Sequence, residues 1–266
     1  MTNDVQKTPR GIAWRADGPA DAPPLVLLNS LGTTFEIWRA QVPVFAARFR
    51  VIRVDTRGHG YSDVPPGDYT LDDVGMDALS VLDAAGIERA HVCGVSLGGM
   101  TAMWLAAHAP ERVRTLLPVS TALKIGVRAT WDERIAQVGS GGTDSIAPSS
   151  MGRWFTEPFR AANPDIVAWC RAMLSSISAD GYVRCCAILR DGDLHDVAAR
   201  ISAPTLVIVG TADPVTPPAN ADEIHQTIKG SRLTVLDASH ICAVERPEEF
   251  NRAVLGFIDE QAARSK

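Results

Sequence analysis

The sequence predicts an α/β fold, a mostly parallel sheet flanked by helices and interrupted by a helical insertion. Three observations lead there. Short, nearly continuous apolar runs alternate with longer amphipathic stretches, the pattern of parallel strands buried on both faces beneath helices. The alternation breaks between about Lys124 and Asp196. It resumes after Ala203-Pro204, so the intervening block is inserted into the sheet rather than appended to it.

The first strands are expected at residues 12–15, 25–28 and 50–55. Val74, Ala78, Leu79 and Leu82 recur at helical spacing and place a helix over 71–85, stopped by Gly86. Residues 90–95 read as the next strand, 97–109 as a helix that runs to Pro110, and 113–119 as a further strand. In the insertion, Trp131, Ile135 and Val138 fall at helical spacing, as do Trp169, Met173 and Ile177. Gly139-Ser140-Gly141-Gly142 reads as a joint between helices. Strands at 205–209 and 233–236 complete the sheet. The expected division is a core of residues 1–123 and 197–266, with a helical lid of 124–196. There is no internal repeat and no low-complexity tract.

A length of 266 residues, 46% hydrophobic and 21% charged, is that of a soluble protein able to bury a sizeable core. A formal net charge of -5 provides no basic face for nucleic acid. Residues 1–18 carry Lys7 and Arg10 but no apolar run of the signal-peptide kind, and no segment approaches a membrane span, so a cytoplasmic protein is expected. Cys93, Cys170, Cys185, Cys186 and Cys242 have neither CxxC pairing nor metal-ligand spacing. They read as free thiols in a reducing compartment, with Cys185 and Cys186 packing a helix.

The chemistry centres on Gly94-Val95-Ser96-Leu97-Gly98, which lies between a strand and a helix. A serine on so sharp a turn needs glycines two positions either side, and its oxygen is then held out at the carboxyl edge of the sheet. An unassisted hydroxyl is a poor nucleophile, so Ser96 needs a histidine to take its proton and an acid to orient that histidine. His240 follows the last strand, where a loop can return to the sheet top. His59, His91, His108, His195 and His225 have ordinary structural readings. Asp213, in the turn after strand 205–209, is the expected acid. Asp237 is too close to His240 along the chain and would have to double back. After residue 119 stand Ser120 and Thr121, not an acid. The order Ser96, Asp213, His240 then supplies nucleophile, acid and base.

The oxyanion of a tetrahedral intermediate needs donors already in place. The backbone N–H of Leu97, at a helix start, is one candidate. The N–H of Leu31, in the loop Asn29-Ser30-Leu31-Gly32, is the second, while the Asn29 and Ser30 side chains read equally as turn residues. Asp55-Thr56-Arg57-Gly58-His59-Gly60 lacks the spacing of a phosphate loop and reads as a structural corner in which Arg57 fixes nearby loops.

With these residues in order, the chain resembles the α/β-hydrolase superfamily over nearly its full length. Within it, the resemblance is greater to bacterial 3-oxoadipate enol-lactonases. It is carried by residues 28–33, 55–60, Cys93-Gly94-Val95-Ser96-Leu97-Gly98-Gly99-Met100, residues 211–218 and the lid pieces Arg153-Trp154-Phe155-Thr156 and Gly181-Tyr182. Around the histidine the family tends to read Ala-Ala-His-Leu-Ser-Asn, where this chain has Ala238-Ser239-His240-Ile241-Cys242-Ala243. The resemblance implies hydrolysis of 3-oxoadipate enol-lactone through a serine acyl-enzyme in the protocatechuate branch of aromatic catabolism, with no metal or organic cofactor.

The small-molecule substrate would carry a carboxylate, so a cation or indole donor should face the pocket. The lid's net charge offers little, with eight Lys/Arg against nine Asp/Glu between Thr121 and Asp196. Trp131 and Arg134 share a helix face and are the candidates, with Trp154 and Ser30 as further pocket residues. The competing reading makes Trp131 lid core and Arg134 a solvated surface charge. Rival functions are a general carboxylesterase or perhydrolase with the same triad and, from another class, a hydrolase-fold ligand receptor. A haloalkane dehalogenase would need an aspartate at position 96.

Overall fold

A computed structural model describes residues 4–264. Eight strands form one sheet: β1 (Gln6–Lys7), β2 (Ala13–Asp17), β3 (Pro24–Leu28), β4 (Arg50–Val54), β5 (Ala90–Val95), β6 (Val113–Val119), β7 (Leu206–Gly210) and β8 (Arg232–Leu236). Their spatial order is β1-β2-β4-β3-β5-β6-β7-β8. The β1–β2 and β2–β4 pairs are antiparallel and the rest are parallel.

The parallel strands lie within a residue or so of expectation; in β3 to β7 burial of most positions leaves a visible apolar run, while edge strand β8 is only partly buried. β2 departs further, running to Asp17 instead of 15. Its ladder with β4 continues through the half-exposed Arg15, Ala16 and Asp17, and Arg53 bonds Asp17 across the pair at 2.8 Å. β1 has two exposed residues and exists only through its pairing with β2, so no hydrophobic pattern announces it.

Helix Leu71–Ala84 begins in a capping box, with the Thr70 side chain accepting from the Asp73 N–H while Asp73 bonds back to Thr70. Helix Leu97–His108 is buried along almost its whole length, packed against the central strands β3, β5 and β6. Every regular element described between β6 and β7 is helical: Arg128–Gly141, a short 3₁₀ turn, Ala147–Trp154, Glu157–Ala162, Pro164–Ser175, Ala179–Asp191 and His195–Ala198. The expected joint at 139–142 is a helix end instead. Fully buried Val138 anchors the last turn, Ser140 Oγ bonds back to the Ala136 carbonyl, and the helix stops only at Gly142, whose φ is 68°. All five cysteines are buried and unpaired.

Candidate active site

In a parallel sheet all strands end at the same edge, and the loops leaving those ends are brought together. β3 and β6 flank β5, and β7 and β8 follow on one side. The loops carrying Ser30-Leu31, Ser96, Thr121, Asp213 and His240 therefore meet, although the whole insertion lies between Ser96 and His240 along the chain.

Ser96 has φ 56° and ψ -115°, a conformation costly for any residue with a side chain, roughly 1–3 kcal/mol. The surroundings hold it there. Its N–H donates to the Val119 carbonyl at 2.9 Å, and its own carbonyl accepts from Met100 N at 3.0 Å and Thr121 Oγ1 at 2.8 Å. A Cβ at Gly94 would fall 2.1 Å from the Gly98 carbonyl oxygen, and one at Gly98 would fall 2.5 Å from that of Leu28. The glycines are required by this close approach of the helix start to β3 and β5. Thr121 had no sequence signal, since its role depends on β6 lying beside β5.

Asp213 is buried and fully engaged. Oδ1 accepts from the N–H groups of Val215 (2.8 Å) and Thr216 (3.0 Å), and Oδ2 from Thr216 Oγ1 (2.8 Å) and His240 Nδ1 (2.9 Å). Burial pushes its carboxyl upward, but the facing His240 and the Thr216 donors outweigh this and hold it below the usual carboxylate range. Engagement of Nδ1 leaves Nε2 as the ring nitrogen available to Ser96, and both residues line one cavity. Asp237 lies on the surface, paired with Arg246. His91, His108, His195 and His225 bond Thr115, Trp104, Asp193 with Glu223, and Ser231, away from this cavity.

Leu97 is the first residue of its helix, where N–H groups have no intrahelical partner. Leu31 and Ser30 line the cavity. Their loop is pinned from behind. Ser30 O accepts from Thr33 N and Oγ1, the Asn29 amide oxygen accepts from Trp38 Nε1, and the Gly32 N–H donates to His59 Nε2 at 2.9 Å. His59 is buried, with Nδ1 donating to the Arg57 carbonyl, and desolvation pushes its pKa down to about 4. Arg57 is locked to Asp77 of helix Leu71–Ala84 through two bonds of 2.6 and 2.9 Å. The corner at 55–60 thus supports the Leu31 loop from below.

The cavity measures about 260 Å³. Trp131, Arg134 and Trp154 all line it. The expectation of an indole donor at Trp131 is corrected: its Nε1–H is spent on the Ile125 carbonyl at 2.6 Å, so Trp131 offers only its ring. Arg134 has a buried Nη1 without a partner among the described residues, which argues against a solvated surface charge. Arg153, unremarked in the sequence beyond its motif, lines the same cavity. Segment 153–156 is stitched to the His240 loop. Ser239 Oγ donates to the Arg153 carbonyl at 2.8 Å, Ile241 N to that of Trp154 at 3.0 Å, and buried Glu245 accepts from Ser239 N (2.9 Å), Thr156 N (3.3 Å) and Thr156 Oγ1. Glu245 lies too far along the chain from residue 156 for any motif to reveal this. Among the described residues no three His, Cys, Asp or Glu side chains are grouped to hold a metal ion.

An elbow serine, a buried Asp–His pair and donors at the ends of neighbouring parallel strands define a hydrolase-type site on an α/β sheet. The family model described as the alpha/beta hydrolase fold matches residues 23–247, and the chain belongs to that family. It is 43% identical over 237 residues to 3-oxoadipate enol-lactonase 2 of Acinetobacter baylyi, covering 89% of each chain. To 3-oxoadipate enol-lactonase 1 of the same organism it is 37% identical, over 97% of this chain and 96% of the relative. The crystal structure of the enol-lactonase from Burkholderia xenovorans LB400 superposes with a TM-score of 0.94 at 36% identity, covering 96% of this chain and all of the other. Among the described residues no helix is long and apolar enough to cross a membrane.

Proposed function

We propose that this protein is a carboxylic ester hydrolase that opens 3-oxoadipate enol-lactone to 3-oxoadipate, with Ser96 as nucleophile, His240 as general base and acid, and Asp213 orienting the imidazole. The observation that carries the reading is the strained Ser96 turn at the cavity that His240, held from behind by buried Asp213, also lines. Similarity to enol-lactonases over nearly the whole chain supports the substrate.

In the proposed reaction Ser96 Oγ adds to the ring carbonyl carbon while its proton passes to His240 Nε2. The N–H groups of Leu97 and Leu31 receive the oxyanion, each worth roughly 2.7–4 kcal/mol of barrier. Collapse breaks the ring C–O bond, and the departing enolate oxygen, a better leaving group than an alkoxide, takes the proton back from the imidazolium. Water then gives a proton to His240 and attacks the acyl carbon. The bond to Ser96 breaks, the serine regains its proton, and the enol tautomerises to the 3-oxo diacid. Residues 124–196 act as the lid that shapes the pocket over the core of 1–123 and 197–266. Unpaired thiols fit a reducing, cytoplasmic compartment.

Ser96→Ala tests the nucleophile. It is expected to abolish enol-lactone opening while the unfolding transition stays near that of the parent protein, and retained turnover would assign the reaction elsewhere. Strong preference for simple p-nitrophenyl esters over the lactone would replace the lactonase reading with a general esterase.

A further inference from the structure

β4 ends beside β3, with Val54 opposite Leu28, so the residues that follow them, Asp55 and Asn29, reach the carboxyl edge of the sheet together. Asp55 is fully buried, and its carboxylate is ringed by donors. Oδ1 accepts from the Phe35 N–H at 2.6 Å and faces the Asn29 amide nitrogen at 3.5 Å, while Oδ2 accepts from the Tyr61 N–H at 2.9 Å. One oxygen thus ties both ends of segment 29–35, which carries Leu31. The other ties Tyr61, at the close of the corner at 55–60, and a Cβ at Gly60 would fall 2.1 Å from it. Among the described residues Asp55 is in no ion pair, unlike Asp213, whose charge is met by His240. Arg53, the adjacent cation, is spent on Asp17 and Glu36.

We propose that Asp55 is the positioning residue of the oxyanion site: its ionised carboxylate holds segment 29–35 so that the Leu31 N–H meets the reacting carbonyl oxygen, and protonation of that carboxylate releases the segment. The inference rests on the hydrolase reading, and it deepens that reading by tying the rate to a second proton besides the one on His240.

A carboxylate only accepts, but a carboxyl group must also place its own proton on an acceptor. All three groups bonded to Asp55 are donors. The Asn29 amide cannot turn its oxygen inward without abandoning Trp38 Nε1, from which it accepts at 3.1 Å. A proton on Asp55 therefore forces one of the ties to give way. The surrounding charges bring this change within reach of ordinary pH. Burial raises the Asp55 pKa to about 6, Glu36 on the 3₁₀ turn Phe35–Trp38 adds to the rise, and the Tyr61 and Phe35 N–H groups and Arg53 oppose it. Glu36 is itself paired with Arg15 and Arg53. Arg57 and Asp77, which border a small cavity with Asp55, neutralise each other, and His59 in the same corner is pushed down to about 4.

The test is the pH profile of kcat for p-nitrophenyl acetate from about pH 8 to about pH 5, above the titration of His59. Any ester opened at Ser96 needs the oxyanion site, so failure of the lactone reading and failure of this one are separate results, and Ser96→Ala supplies the zero. In the parent protein log kcat should fall with a slope above one at the acid end, because His240 and Asp55 each take a proton. Glu36→Gln alters a half-exposed side chain outside the site. It should keep the plateau rate and move the Asp55 ionisation to lower pH. Asp55→Asn keeps the shape but turns one acceptor into a donor, so its kcat should fall about 10–100-fold with a much smaller change in KM, since the oxyanion exists only in the transition state. Its acid limb should have a slope no greater than one. A parent limb of slope one, a limb that Glu36→Gln leaves unmoved, or an Asp55→Asn protein with the parent kcat would overturn the assignment. The first two are read even where the Asn variant does not fold.

Discussion

Replacing His59 with leucine removes the acceptor of the Gly32 N–H while keeping a buried side chain of similar bulk. The bond is 2.9 Å long and buried, and no water can reach the freed amide without opening the corner at 55–60. A buried donor left unpaired costs roughly 1–3 kcal/mol of stability. The larger effect is on rate. Gly32 follows Leu31, whose N–H is the proposed second oxyanion donor, and a misplaced donor forfeits up to about 2.7–4 kcal/mol of transition-state stabilisation. His59→Leu is therefore expected to lower kcat about 10²–10³-fold with a much smaller change in KM, because the oxyanion exists only in the transition state. His59→Gln places an amide oxygen near the position of Nε2 and should recover most of that loss. Steady-state kinetics on the enol-lactone, with urea unfolding of the same proteins, reads both quantities. If His59→Leu keeps kcat within about twofold of the parent, the loop does not depend on this bond and the reasoning fails.

Two further outcomes follow from buried and half-buried groups outside the triad. Glu245→Ala leaves the Ser239 and Thr156 amides without their acceptor and should cost roughly 2–6 kcal/mol for two donors, with Glu245→Gln restoring about half; a loss under about 1 kcal/mol in urea unfolding would mean the strap is not under load. His59 and His91 are each pushed down to about 4, His59 by desolvation and His91 by desolvation with the Arg114 and Arg89 charges. Between pH 6.5 and 4 the unfolded chain binds these protons and the folded one does not, so stability is full above pH 6.5 and drains as pH falls through that window. At about 1.4 kcal/mol per pH unit each histidine contributes at most about 3.5 kcal/mol, and His91→Gln should flatten the acid limb of a stability-versus-pH curve. An unchanged limb would show that His91 titrates alike in both states.

The parts legible in the sequence are those in which chemistry is local. Strands β3 to β7 are legible because their apolar positions are largely buried, edge strand β8 shows only through Leu233, Val235 and Leu236, and the Ser96 turn announces itself because glycine is demanded on either side by contacts of 2.1 and 2.5 Å. Asp213 and His240 were readable from their positions after strands, since every strand of a parallel sheet delivers its following loop to one edge. What lay between those loops was not readable. Thr121 against Ser96, His59 behind Gly32, Glu245 between Thr156 and Ser239, and Arg153 beside Arg134 are contacts across strand neighbours or between insertion and core. None leaves a pattern in spacing, because a side chain's partner is set by which strands adjoin and how the insertion folds over them. The same limit explains Trp131, whose place on the helix face was foreseen but whose indole N–H was claimed by Ile125. Local sequence therefore set the strands, the strained turn and the order of nucleophile, acid and base. Tertiary packing alone decided which donors and charges face Ser96, because hydrogen bonds and ion pairs go to whatever the fold brings within about 3 Å.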